Sequence, residues 1–146
     1  MPTNDPPQTG KGCDEIHVLI IDDDNINAML AKGVLERRGA TVQIASNPVR
    51  ALEAYARDKD AIDLVLVDYF MPTLDGGETV RHLRKLNPAI KVVLFSGAEE
   101  MRLRQIIHQY SIDGYVHKPL RADEAVAAIC RLVPDPIARR AAHAPS

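Results

Sequence analysis

Five short segments along the chain are rich in valine, isoleucine and leucine, and most of them are almost continuously apolar. A strand that is covered on one face only would alternate apolar with polar residues, so these segments predict strands buried on both faces of a sheet. The five predicted strands are Ile16–Asp22, Thr41–Ala45, Ile62–Asp68, Lys91–Ser96 and Gly114–Val116.

The stretches between and after these segments carry apolar residues at intervals of three and four, which is the spacing of one face of an α-helix. Examples are Ile26, Leu30 and Val34 in the first stretch, Leu103, Ile106, Ile107 and Tyr110 in the fourth, and Val126, Ile129, Cys130 and Val133 in the last. Strand and helix therefore alternate along the chain. Strict alternation predicts a doubly wound α/β fold, in which right-handed crossovers join five parallel strands and helices cover both faces of the sheet.

Residues with strong turn or capping preferences mark the ends of the predicted helices. Gly39 follows the first helix as a C-terminal stop, and Asn47 with Pro48 forms a cap and first-turn pair for the second. Asp75 and Glu78 have the spacing of a capping box at the start of the third helix.

The length of 146 residues suits a single domain with one core. Proline and glycine interrupt the first dozen residues, and proline also punctuates an alanine- and arginine-rich C-terminal end. We therefore expect a flexible N-terminal tail over residues 1–14, a folded domain over residues 15–133 and a flexible C-terminal tail over residues 134–146.

Composition narrows the class of protein further. Hydrophobic residues make up 46% of the chain, yet no apolar run approaches the roughly 18 residues of a membrane span, and the first residues do not resemble a secretory signal. The net charge of -2 provides no basic field for nucleic acid or anionic lipid. We expect a soluble, cytoplasmic protein that binds neither directly. Cys13 and Cys130 show no metal-binding or disulfide spacing, which predicts two plain thiols.

Polar residues that could bind a ligand or take part in a reaction lie where several predicted strands end. In open parallel sheets the carboxyl ends of the strands meet at one edge, where ligands bind. The residues at these ends are Asp22, Asp23 and Asp24 after the first strand, Asp68 at the end of the third, Ser96 at the end of the fourth and Lys118 just beyond the fifth. The sequence thus predicts one polar site at this edge.

A cluster of carboxylates would be driven toward protonation unless a cation compensated its charge. Oxygen ligands without histidine or cysteine favour a hard cation, Mg²⁺ or alternatively Mn²⁺. A carboxylate such as Asp68 can also attack phosphorus and form an acyl phosphate. Lys118 and the Ser96 hydroxyl could then bind phosphoryl oxygens, and the metal could join a third oxygen to Asp68.

Four segments in the same order resemble the receiver domain of two-component response regulators, in particular the single-domain chemotaxis type. They read LIIDDDN, DLVLVDYFMPTLDG, VVLFSG and GYVHKPL, and the resemblance extends from Ile16 to about Leu132. It implies a flavodoxin-like sheet with the strand order 2-1-3-4-5.

The resemblance also assigns a role to individual positions of this sequence. It implies Asp22 and Asp23 as metal-site acids, Asp68 as phosphoacceptor and metal ligand, the Phe70 backbone carbonyl as a further ligand, Ser96 and Lys118 as phosphate contacts, Tyr115 as a switch residue coupled to Ser96, and a cis peptide bond between Lys118 and Pro119.

The leading hypothesis is a stand-alone receiver that takes a phosphoryl group from a histidine kinase or a histidine phosphotransfer protein. Phosphorylation would then change which protein effector binds, and the resemblance implies the face formed by the fourth helix, fifth strand and fifth helix, roughly Glu99–Val133. Such a protein assists only its own phosphorylation and dephosphorylation and is not a turnover enzyme.

Three alternatives accompany this hypothesis. The protein could be a phosphorelay shuttle or phosphate sink, or a receiver that binds its partners constitutively. It could also be a phosphohydrolase of the haloacid-dehalogenase type, because Asp22 and Asp24 imitate the paired aspartates of that class, with Ser96 and Lys118 as later motifs. That last reading leaves Asp68 and the MPTLDG segment after it without a role.

Overall fold

The computed structural model describes residues 13–71, 76–120 and 123–133. Nearly all of the two predicted tails lies outside these residues, and so does Asp75 of the predicted capping box. Within the described part of the chain, no helix combines the length and the apolar character that crossing a bilayer requires.

Strands and helices alternate throughout the described chain, as the sequence predicts. The predicted ends of the strands differ from the observed ones by at most two residues. The elements are β1 His17–Ile21, α1 Asn25–Arg37, β2 Thr41–Ala45, α2 Pro48–Asp58, β3 Leu64–Val67, α3 Gly76–Leu86, β4 Lys91–Ser96, α4 Glu100–Tyr110, β5 Gly114–His117 and α5 Asp123–Arg131.

The strands form one five-stranded sheet in the order β2-β1-β3-β4-β5, and every neighbouring pair is parallel. The predicted flavodoxin-like topology is confirmed. The chain passes from β1 to β2 on one side of β1 and then to β3 on its other side. This reversal makes the carboxyl end of β1 a topological switch point. Ile21 pairs with Val67 across β1 and β3, so the residues that follow these two strands emerge side by side.

Side chains alternate between the two faces of the sheet and bury both of them, because successive residues of a strand point in opposite directions. One face carries Val18, Ile20, Leu64, Leu66, Val93 and Phe95, packed with buried residues of α1 and α5. The other carries Leu19, Ile21, Val65, Val67, Val92 and Leu94, packed with buried residues of α2, α3 and α4. The prediction of strands buried on both faces is confirmed for the centre of the sheet.

Helix α1 turns a different face to the sheet from the one that its large apolar residues suggest. Ile26 is 75% exposed and Leu30 is 51% exposed. The buried residues of this helix are Ala28, Ala31 and Leu35. Two alanines let the helix backbone approach the strands closely, so the apolar spacing indicates the helix correctly but not its buried face.

The predicted helix boundaries at Gly39 and Asn47 are confirmed. Gly39 follows the last residues of α1 with a φ of 99°, a left-handed conformation that glycine adopts without steric cost. The Asn47 side chain accepts a hydrogen bond of 2.9 Å from the Arg50 backbone N–H, and Pro48 is the first residue of α2. Both signals act through local chemistry, which explains why the sequence alone reveals them.

Two aspartates that precede strands hold neighbouring strands in register. The Asp63 carboxylate accepts from the His17 backbone N–H at 2.8 Å, and the Asp63 N–H donates to the His17 carbonyl at 2.9 Å. Asp113 makes the same pair of contacts with Val92, at 2.8 Å and 2.9 Å. These acids lie at the amino ends of the strands, so they serve the sheet rather than the predicted site.

Two consecutive glycines begin α3, where they leave room for aromatic rings. A Cβ atom added to Gly77 would overlap the ring of Tyr110, and one added to Gly76 would overlap Tyr69. The two tyrosine rings lie 6.1 Å apart, centroid to centroid. Tyr69, the residue after Asp68, therefore packs against the glycine backbone in the first turn of α3.

The two cysteines are joined as a disulfide, so the prediction of plain thiols is wrong. Cys13 precedes β1 and Cys130 lies in α5, at a sequence separation of 117 and a Cα–Cα distance of 5.1 Å. The fold brings the end of α5 back beside the start of β1. Spacing along the sequence carries no sign of such a pairing.

Candidate functional site

Two buried aspartates stand side by side at the carboxyl edge of the sheet. Asp22 follows β1 with no exposed surface, and Asp68 follows β3 with 5% of its surface exposed. The Asp68 backbone N–H donates to the Ile21 carbonyl at 2.9 Å, which continues the pairing of the two strands into the site. The apolar strands thus fix where the two carboxylates lie.

Asp23 joins these two residues to form a cluster of three acids. One carboxylate oxygen from each of Asp22, Asp23 and Asp68 lies within 4.8 Å of the other two. Asp22 and Asp68 are buried whereas Asp23 is exposed, so the cluster opens to solvent on one side. Its donors are all hard oxygens.

The hydrogen bonding of Asp22 leaves one of its oxygens available. Its Oδ1 accepts from the Asp24 backbone N–H at 2.9 Å, whereas its buried Oδ2 makes no aligned hydrogen bond. The Lys118 ammonium lies 2.8 Å from this oxygen. A buried carboxylate oxygen held by charge alone fits a divalent oxygen-binding cation such as Mg²⁺.

Lys118 reaches into the cluster from the segment after β5. Its Nζ lies 2.8 Å from Asp22 Oδ2 and 3.3 Å from Asp68 Oδ2, and its side chain is 14% exposed. The Lys118 backbone N–H donates to the Ser96 carbonyl at 3.1 Å, which attaches this segment to the end of β4. The peptide bond from Lys118 to Pro119 is cis. One ammonium group therefore serves two buried carboxylates.

The burial of these groups changes their proton affinity. Burial raises the pKa of Asp68 to about 6, and the nearby Asp22 carboxylate adds to the rise, while the Phe70 N–H and Lys118 oppose it. Burial alone would lower the pKa of Lys118, but the Asp22 and Asp68 carboxylates outweigh this and raise it above its usual range. Lys118 thus remains a cation at neutral pH, whereas Asp68, with a pKa of about 6, begins to take up a proton as the pH falls just below neutral.

The raised pKa of Asp68 predicts a pH-dependent stability when divalent metal is removed. Since the folded pKa of about 6 exceeds the unfolded value of 3.8, the contribution of Asp68 is fully present below the unfolded pKa and is lost as the pH rises through the folded one. At roughly 1.4 kcal/mol per pKa unit the loss is at most on the order of 3 kcal/mol, and solvent screening at the open side of the cluster reduces it. Urea unfolding of the wild type and of Asp68→Asn, in chelator across this window, should show the variant gaining stability relative to the wild type as the pH rises. A constant difference between the two proteins would contradict the prediction.

Ser96 lies at the same edge as the acids, at the end of β4. It is 2% exposed, and its Oγ accepts a hydrogen bond of 3.1 Å from the Ala98 backbone N–H. Because β4 neighbours β3 in the sheet, this hydroxyl follows the strand next to the one that ends at Asp68. The hydroxyl proton is free of that contact and available to a phosphoryl oxygen.

Phe70 contacts the cluster through Asp68, whereas Tyr115 lies in β5. The Phe70 backbone N–H donates to Asp68 Oδ1 at 3.1 Å, while its ring is 49% exposed and lies 5.8 Å from the Arg102 guanidinium. The Tyr115 ring is half-buried and packs edge-on against His117, with the centroids 5.5 Å apart. The predicted roles of the Phe70 carbonyl as a ligand and of Tyr115 as a switch stay predictions.

Asp24 has a structural role as the N-cap of α1. Its carboxylate caps α1 by accepting from the backbone N–H of Asn27 at 3.2 Å and from the Asn27 side-chain amide at 2.7 Å. These bonds lower the pKa of Asp24. The signal was present in the sequence, because an aspartate three residues before its partner is a common N-cap spacing. Asp24 is thus occupied by the helix and does not join Asp22 as the second acid of a dehalogenase-type pair.

Comparisons with known protein sequences and structures all indicate the same family. The family model for the response regulator receiver domain matches residues 18–130. The response regulator MprA of Mycobacterium leprae is 30% identical over 118 residues, which is 81% of this chain and 51% of that protein. The chain thus spans about half the length of this relative.

Solved structures agree with the sequence comparison. A response regulator receiver domain protein from Clostridium thermocellum is 26% identical, with a TM-score of 0.74 over 82% of this chain and 94% of that chain. The response regulator TrrA from Thermotoga maritima, solved in complex with Mg²⁺ and BeF, is 26% identical, with a TM-score of 0.69 over 80% of this chain and 98% of that chain.

Proposed function

The chain belongs to the response regulator receiver domain family of two-component systems, and we propose that Asp68 is its phosphoacceptor and that Asp22, Asp23, Asp68 and the Phe70 carbonyl hold Mg²⁺. Phosphorylation of an aspartate is a feature of the family. The observation that carries the assignment is that Asp68 shares the three-carboxylate cluster and also contacts Lys118 at 3.3 Å. A nucleophile, a metal site and a phosphate-binding cation thereby meet at one residue.

The chemistry assigned to Asp68 is a transfer between two nucleophiles. A carboxylate oxygen forms a bond to phosphorus as the bond from phosphorus to the donor nitrogen breaks, and the leaving imidazole takes up a proton. Bound Mg²⁺ would neutralise charge on the phosphoryl oxygens. Of the two Asp68 oxygens, Oδ1 accepts from the Phe70 N–H and Oδ2 faces Lys118.

Lys118 and Ser96 are the proposed contacts of the bound phosphoryl group. The Lys118 ammonium is already aligned with Asp68 and carries its proton at neutral pH, so it can pair with a phosphoryl oxygen without a large rearrangement. The Ser96 hydroxyl proton is not used by the contact with Ala98, so it can be donated to a second oxygen. The switch role of Tyr115 rests on the family resemblance, and its half-buried ring lies in β5, the strand next to the one that ends at Ser96.

The proposed output is a change in partner binding rather than turnover of a substrate. A histidine kinase or a phosphotransfer protein would supply the phosphoryl group, and a protein effector would bind the face made by α4, β5 and α5. The stand-alone arrangement stays a prediction, because the relatives carry this domain within longer chains. A shuttle role differs in one measurable respect, which is the return of the phosphoryl group from Asp68 to a histidine of a phosphotransfer domain.

Mapping the modified residue tests the proposal. The wild-type protein is incubated with acetyl phosphate and Mg²⁺, and the phosphoryl group is located by peptide mass spectrometry. We expect one phosphoryl group per chain on the peptide that contains Asp68, and none when a chelator removes the metal. A phosphoryl group on Asp22 would overturn the assignment and restore the phosphohydrolase alternative.

A further inference from the structure

Cys13 and Cys130 form a site that the proposed phosphorylation does not use. Their Cα atoms are 5.1 Å apart, within the range that a disulfide spans without moving the backbone. Cys13 has no exposed surface and Cys130 is 4% exposed. Both belong to the same apolar cluster, so the two sulfurs face each other in a dry part of the core.

The backbone on each side of the pair is fixed by hydrogen bonds. The Cys13 N–H donates to the Arg38 carbonyl at 3.1 Å, and the Cys13 carbonyl accepts from the Ile16 N–H at 3.1 Å. The Cys130 carbonyl accepts from the Val133 N–H at 3.1 Å. These contacts do not involve sulfur, so the two cysteines stay adjacent in the dithiol and in the disulfide.

We propose that Cys13 and Cys130 are a reversible redox site. The two cysteines are adjacent in the fold and exchange with disulfide-class oxidants such as oxidised glutathione. One thiolate attacks a sulfur of the oxidant, forms a mixed disulfide and releases one thiol. The second cysteine then attacks the protein sulfur of that mixed disulfide, which forms the bond between Cys13 and Cys130 and releases a second thiol. Two protein thiols are oxidised and one small disulfide is reduced.

Cys130 is the residue that the oxidant meets first. It is the more exposed of the two cysteines and lies in the penultimate position of α5, where a helix end opens more easily than its centre. Cys13 lies behind it, next to the start of β1. This order makes the mixed disulfide on Cys130 short-lived, because the attacking thiol is already in contact range.

The disulfide would hold α5 to the edge of the sheet opposite the phosphoacceptor. Cys13 precedes β1, whereas Asp22 follows it, so the redox pair and the acid cluster lie at the two ends of the same strand. The cross-link closes a loop of 117 residues, which restricts the unfolded chain strongly. Oxidation should therefore stabilise the fold and leave phosphorylation of Asp68 unchanged.

Thiol trapping in defined redox mixtures tests the site. The full chain is equilibrated with mixtures of reduced and oxidised glutathione and then denatured in the presence of iodoacetamide, which alkylates free thiols. The intact mass of each sample is then measured. We expect two alkyl groups per chain in the reducing mixture and none in the oxidising mixture, with a peptide that links Cys13 to Cys130. Two alkyl groups in every mixture, a disulfide between two chains, or a cross-link that survives the most reducing mixture would each overturn the proposal.

Thermal unfolding of the same samples provides a second readout. The oxidised protein should unfold about 10 °C or more above its reduced form, given the loop that the cross-link closes. The double variant Cys13→Ala/Cys130→Ala should show no difference between the two mixtures, and acetyl phosphate should label Asp68 equally in both forms of the wild type. Equal unfolding temperatures for the oxidised and reduced wild type would contradict the predicted stabilisation.

Discussion

Asp68→Asn should gain no phosphoryl group from acetyl phosphate and Mg²⁺ under conditions in which the wild type gains one. The amide has nearly the shape of the carboxylate, but its oxygen carries no negative charge and is a far weaker nucleophile toward phosphorus. The substitution also removes one of the three carboxylates of the cluster. Both effects act in the same direction, and intact mass measures the result directly.

Asp24→Asn is the matched control for this experiment. It changes the same side chain in the same way at the same edge of the sheet, but Asp24 caps α1 and stands outside the three-acid cluster. Asparagine is as good an N-cap as aspartate, so the fold should tolerate it. This variant should be phosphorylated like the wild type. An equal mass gain in Asp68→Asn and the wild type would refute the assigned phosphoacceptor.

The parts of the site that the sequence predicts are those fixed by short-range rules. A buried parallel strand must end at the edge of the sheet, so the first polar residues after β1, β3 and β4 can be assigned to one edge without coordinates. This rule predicts the positions of Asp22, Asp68 and Ser96 after β1, after β3 and at the end of β4. Gly39 and Asn47 are predictable from capping preferences, because each acts on the backbone of its own helix end.

The parts that the sequence does not reveal depend on contacts between distant segments. The buried face of α1 is set by how closely the helix can approach the strands, which favours Ala28 and Ala31 over the larger Ile26 and Leu30. The pairing of Cys13 with Cys130 depends on where α5 ends relative to β1. No local pattern encodes either of these distances.

The acid cluster departs from the uncharged packing of a protein core, which supports its proposed role as a metal and phosphoryl site. Asp22 and Asp68 are both buried, the Asp22 Oδ2 has no aligned hydrogen bond, and burial raises the pKa of Asp68 to about 6. One cation cannot fully compensate two buried carboxylates. The cluster is therefore short of positive charge, and a bound divalent cation would supply the charge that the carboxylates and an incoming phosphoryl group need.

Lys118→Ala should lower the rate of Asp68 phosphorylation by about 100- to 1000-fold, the usual cost of removing one preorganised charge-stabilising group. The ammonium lies 3.3 Å from Asp68 and 2.8 Å from Asp22, so its loss removes the cation that meets the phosphoryl oxygens. It also leaves two buried carboxylates to repel each other, which pushes the pKa of Asp68 higher and reduces the fraction of nucleophile at neutral pH. The rate is measured by mass spectrometry over time with acetyl phosphate and Mg²⁺.

Lys91→Ala provides the comparison for Lys118→Ala, because Lys91 is an exposed lysine at the start of β4, at the opposite edge of the sheet. It should be phosphorylated at the wild-type rate. Circular dichroism and urea unfolding separate a slower reaction from a loss of fold in Lys118→Ala. A folded Lys118→Ala protein that is phosphorylated as fast as Lys91→Ala would show that the ammonium is not the phosphate contact, because no other lysine contacts Asp68 among the described residues.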